Sequence, residues 1–158
     1  GKIVSGMTTE PTVQRALARN AAKVAIDLRT PETTRAALGG DYPAACLYMD
    51  RGYMEANKDI AQKLVNALVK TLKWMHGHSA EEIADKMPKD YMAGDRALYV
   101  KGLADGKAQY SPDGMMPNGA PESVLKVLQA FSPSVQGKTI DLAKTFTTEF
   151  VVKANATN

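Results

Sequence analysis

Few side chains in this sequence are equipped for chemistry, and they are scattered. His76 and His78 flank Gly77 and form the only histidine pair. Two imidazoles can take a metal, but a spacing of two at a helix end turns them apart, and no carboxylate cluster adjoins them. An exposed helix C-terminus, where histidine suits the dipole, explains them better. The single cysteine, Cys46, lies within AACLYM and reads as a small buried hydrophobe rather than a nucleophile. Being alone, it excludes an internal disulfide framework and a Cys-based zinc site. Glu81, Glu82 and Asp85 fit a solvated helix face, and Met115-Met116 fits a loop that plugs a surface hollow. There is no G-x-S-x-G elbow, phosphate loop or dinucleotide fingerprint. Gly39-Gly40-Asp41 imitates a phosphate loop but precedes an expected strand instead of opening a helix.

Thr8-Thr9-Glu10 is the better candidate. These residues stand between a short apolar start and Pro11, at the opening of an expected helix. Hydroxyls and free N–H groups at a helix start after a strand gather where open α/β sheets place ligands. The alternative is a plain N-cap, with Thr8 or Thr9 accepting a first-turn N–H and Glu10 neutralising the dipole.

The elements that would position these groups follow from local pattern. Ile3-Val4 reads as the end of a strand, Pro11 as the first position of a helix over 11–20, and Lys23 to Leu28 (KVAIDL) as a second strand. That order is a β-α-β unit, the mark of a parallel sheet. Residues 31–43, rich in Gly, Pro and Thr, read as a crossing segment, and Ala44 to Met49 as a further buried strand. Beyond residue 57 the pattern is helical. Asn57 or Asp59 can cap a helix over 58–76, whose inward face would carry Ile60, Leu64, Leu68, Leu72 and Met75. Ser79 and Glu82 match a capping box, and Asp95 can cap a helix weakened by Gly102. Residues 110–121 form a turn-rich loop, and Pro121-Glu122 opens a helix with Val124, Leu125, Leu128 and Phe131 inward. The tail, IDLAKTFTTEFVVKA, is compatible with helix or strand.

Composition bounds the class. The 158 residues are 44% hydrophobic, enough for one core, and the formal net charge is +3 with no Lys/Arg tract. No clustered basic face is offered to nucleic acid. No apolar run approaches the roughly 20 residues of a membrane helix. No basic-then-apolar leader opens the sequence, so any export signal would lie outside it.

The order MTTEPTVQRALARNAAKVAIDLRT, GGDYPAACLYMDRGYMEANKDIAQKLVNALVKTLKWM, YSPDGMMPNGAPESVLKVL and IDLAKTFTTEFV resembles the later part of an ABC-transporter solute-binding protein. The group is the nitrate/sulfonate/taurine and thiamine-pyrimidine-precursor type. The resemblance implies an α/β fold, the C-terminal part of a two-lobed type II periplasmic binding protein, helix-rich after residue 57. Residues 1–40 would then end lobe two. Residues 41–158 would supply the crossing segment, a strand returning to lobe one and the C-terminal helices. By the same resemblance the junction at Thr8, Thr9 and Glu10 borders a ligand cleft. Tyr42 lines that cleft at the crossing, and Asp27 and Arg29 reach in from a strand end, unless they form a mutual ion pair.

The implied function is capture of a small solute without catalysis or cofactor, in the periplasm, for delivery to a membrane permease. Exposed strand edges of such a part would be covered by a partner copy or a swapped segment. Glu10 cancels much of a positive helix end, so an amine-bearing heterocycle suits this edge better than a bare nitrate or sulfonate. The competing implication is a thiamine-pyrimidine-synthase-like enzyme of the same fold. That reading needs a cysteine-rich stretch and a sacrificial histidine, and here Cys46 stands alone with neither histidine near the expected cleft.

Overall fold

The computed structural model describes residues 4–92 and 94–157. Within them every regular element is helical. Eight α-helices follow in order: α1 Thr12–Ala18, α2 Pro31–Leu38, α3 Arg51–Ala56, α4 Lys58–His76, α5 Ala80–Lys86, α6 Arg96–Gly106, α7 Ala120–Phe131 and α8 Glu149–Thr157. Short 3-10 turns join some of them.

The expected α/β class is therefore corrected: no strand and no sheet form among the described residues, so this is not the two-lobed type II arrangement. Lys23–Leu28 and Ala44–Met49 run as irregular connections, and the strand end expected at Ile3-Val4 falls partly outside the described residues. Their composition is right for strands, but β propensity describes a fit to a pleated neighbour and creates nothing without one. Side chains expected to be buried are accordingly exposed, Ile26, Tyr48 and Cys46 among them.

The helices obey their local signals closely. In α2 the Thr30 hydroxyl accepts from Thr33 N and the Thr33 hydroxyl answers to Thr30 N, with Pro31 in the first turn. Gly39 ends the helix at φ 82°, a left-handed conformation that favours glycine. The crossing segment expected over 31–43 is thus mostly helix. Ser79 and Glu82 form the expected capping box on α5, and the Asp95 carboxylate accepts from Leu98 N at the start of α6.

The core lies between α4 and α8, where Val69, Val151 and Ala154 are buried with Val65 and Met115 against them. The tail is thereby helical at its end. The face of α4 that packs carries Ala61 and Val69, whereas the expected inward residues Ile60, Leu64 and Leu68 remain exposed. On α7 only Ala120 is buried, and Leu128 and Phe131 are exposed rather than inward. Away from this core, α6 receives two smaller packings, one from α5 and one from α1.

Candidate functional site

The polar group on the α1–α6 seam begins at Glu10. Pro11 occupies the N-cap position of α1 and supplies no side-chain cap. The Thr9 carbonyl closes the first turn by accepting from Thr12 N at 3.0 Å. Neither Thr8 nor Thr9 caps with its hydroxyl, and both are exposed. Capping passes to the Glu10 carboxylate, which accepts from Gln14 N and from Gln14 Nε2, each at 3.2 Å. Here a carboxylate does what the sequence assigned to a hydroxyl, and it also balances the positive helix end.

Gln14 is the only buried polar residue described, at 2% exposure. Its amide nitrogen donates both to Glu10 and, at 2.7 Å, to Asp105 Oδ2 on α6. Gly102 allows this closeness. A Cβ at that position would lie 3.2 Å from Glu10 Cβ, Cγ and Oε2. The glycine read from sequence as a weakness of the helix is the flat spot on which Glu10 rests.

Arg29 closes the group. Its Nε and Nη2 donate to the two oxygens of Asp27 at 2.9 and 2.7 Å, and its backbone N donates to Asp27 Oδ1 at 2.9 Å. Nη1 donates to Asp105 Oδ2 at 3.1 Å and lies 3.6 Å from Glu10 Oε1. Lys101 Nζ also donates to Asp105, at 2.7 Å. The side-chain hydrogen bond with Asp27 raises the Arg29 pKa against the opposing effect of burial. The same bond, then the Arg29 backbone N–H, holds the Asp27 carboxyl below its ordinary range. In the described ion pairs, three carboxylates (Glu10, Asp27, Asp105) thus face two cations (Arg29, Lys101) on a partly exposed surface.

Of the sequence-derived site residues, the structure brings together Glu10, Asp27 and Arg29. The Asp27–Arg29 ion pair is present. Thr8 and Thr9 stand beside the group in sequence but take no part in it, and half-buried Tyr42 makes no hydrogen bond to it. Sequence reasoning misses Gln14, Lys101, Gly102 and Asp105. The spacing of four in Glu10–Gln14 and Lys101–Asp105 is a local signal that could have pointed to them, but nothing local joins residue 14 to residue 105. Farther along the seam a hollow of about 490 Å³ is lined by Arg15, Ala18, Arg19, Gly94, Asp95 and Leu98.

Both histidines are engaged by backbone. His76 Nε2 meets Tyr110 O at 2.8 Å, and His78 Nδ1 meets Trp74 O at 2.6 Å while its ring stacks on Trp74 with centroids 4.1 Å apart. No group of three or more metal-ligating side chains occurs among the described residues. No described helix is long and apolar enough to cross a membrane.

No family model matches the chain. Over 79 residues, 49% of this chain and 24% of the relative, it is 28% identical to the Bacillus subtilis (strain 168) protein named "Putative binding protein YtlA". A solved structure of a protein from Bordetella bronchiseptica RB50 superposes with a TM-score of 0.89 at 35% identity, covering 94% of this chain and 46% of that one. The chain therefore spans about a quarter of the curated relative and under half of the solved one. What these likenesses support directly is a binding role for a partial relative, and a backbone arrangement shared with a known structure.

Proposed function

We propose that the chain is part of a solute-binding component of an ABC transporter, exported to the periplasm, which captures a small amine-bearing solute and presents it to a membrane permease. The observation that carries the ligand class is the charge of the α1–α6 group. Three carboxylates converge on one guanidinium, and Lys101 pairs with one of them. A ligand bringing N–H or ammonium donors can exchange with Arg29 on the outer carboxylate oxygens. A nitrate or sulfonate would meet those carboxylates as like charges. The binding name of the Bacillus subtilis relative supports the role in its general form.

Isothermal titration of the chain with a hydroxymethyl-aminopyrimidine and with taurine tests this reading. The pyrimidine should bind, and Glu10→Gln should weaken it by about tenfold, the loss of one charge-assisted bond. Binding of taurine alone, or pyrimidine affinity unchanged in Glu10→Gln, refutes it.

A further inference from the structure

The surface of this molecule is too large for its mass. A compact monomer of 17.0 kDa exposes about 7,700 Å². This chain exposes 11223 Å², an excess of about 3,500 Å². Much of what is bare is apolar and periodic. Ile60, Leu64 and Leu68 recur every fourth residue along α4 at 37%, 44% and 45% exposure, on the face that the sequence pattern marks most strongly for burial. Ile26 at 69% and Tyr48 at 89% stand out from the irregular connections, and Phe131 from the end of α7.

The size of the excess selects the occupant. One self-complementary patch of ordinary size removes about 800 Å² from each partner, a fraction of what is bare here. The bare residues are also spread over two connections and two helices, not gathered in one patch. A covering of this extent resembles a domain core cut in half. More than half of the Bordetella bronchiseptica chain, which shares this arrangement at 35% identity, lies outside the matched region. We infer that the Ile60-Leu64-Leu68 face of α4 is a docking face for a further layer of polypeptide, of the kind that makes up the unmatched portion of that chain. The surface argument uses neither Glu10 nor Arg29, so it stands apart from the solute proposed above.

The 158-residue chain should bind the dye 8-anilinonaphthalene-1-sulfonate strongly by itself. Adding the unmatched portion of the Bordetella bronchiseptica chain as a separate polypeptide should displace the dye and form a one-to-one complex, seen by light scattering. Leu64→Lys with Leu68→Lys should weaken that capture by about tenfold or more while leaving helical circular dichroism unchanged. If the lysines disturb the helix, Leu64→Gln with Leu68→Gln serves instead. Three results overturn the inference: no dye binding by the chain alone, a discrete homodimer that protects the α4 face, or no capture of the added polypeptide.

Discussion

Replacing Arg29 by methionine keeps the aliphatic stem and removes the guanidinium from between three carboxylates. The lost contacts are the two bonds to Asp27, the bond to Asp105 at 3.1 Å and the approach to Glu10 at 3.6 Å. Charge-assisted bonds contribute roughly 1.5–3 kcal/mol in protected sites, and exposed ion pairs well under 1 kcal/mol. The Arg29 side chain is 24% exposed and Asp27 34%, so the site lies between these limits. A loss of about 2 kcal/mol for the whole set follows, or roughly 4–8 °C in Tm for a chain of this length. The pH dependence is diagnostic. Hydrogen bonds from Arg29 depress the folded pKa of Asp27. The corresponding stability is therefore present above the unfolded carboxylate pKa of about 3.9 and is lost as pH falls through the lower folded value. Urea unfolding of both proteins, followed by circular dichroism, should show the full gap near pH 7 and a shrinking gap below about pH 4. A gap that is equally large near pH 3, or under about 0.5 kcal/mol throughout, would refute the assignment of Arg29 as the electrostatic centre of the seam.

Three further outcomes are expected. Gly102→Ala should gain roughly 1 kcal/mol of helix propensity but lose more by displacing the tethered Glu10; in a Glu10→Gly background, which removes the facing Cβ as well, it should become stabilising, and a double-mutant cycle showing no coupling would mean the two residues do not press on each other. Gly114→Ala should cost about 2–4 kcal/mol in thermal unfolding, because Gly114 sits at φ 77° with Val151 Cγ2 3.2 Å and Val69 Cγ2 3.4 Å from the added methyl; equal stability would show the core yields there. Ser79→Ala should lose about 0.5–2 kcal/mol by removing the α5 cap, and Ser79→Thr should restore most of it in the same denaturation assay.

What can be read from sequence is what is decided locally. The caps at Ser79 and Asp95 and the span of α4 depend on residues within a turn or two of one another, and they appear where the pattern puts them. The α2 signals, Thr30-Pro31 and Gly39, are equally local, yet the Gly, Pro and Thr content of residues 31–43 reads as a crossing and hides them. The packed face of α4 is not legible: Val65 and Val69 win because α8 lies against them, a choice made some 85 residues away in the chain. KVAIDL and AACLYM mislead for the opposite reason, since strand composition is local but a ladder needs a neighbour. The site divides along the same line. Glu10, Asp27 and Arg29 lie near one another in sequence, whereas Gln14 and Asp105 meet only through the packing of α1 on α6.

The chain has one thiol and one indole. Cys46 is exposed on the connection before α3, and Trp74 lies in the last turn of α4, stacked on His78. Without any substitution, an acceptor dye coupled through sulfur gives an optical ruler between that connection and the long helix. Energy transfer from the tryptophan would then follow the connection's movement in solution, as ligand or covering polypeptide is added.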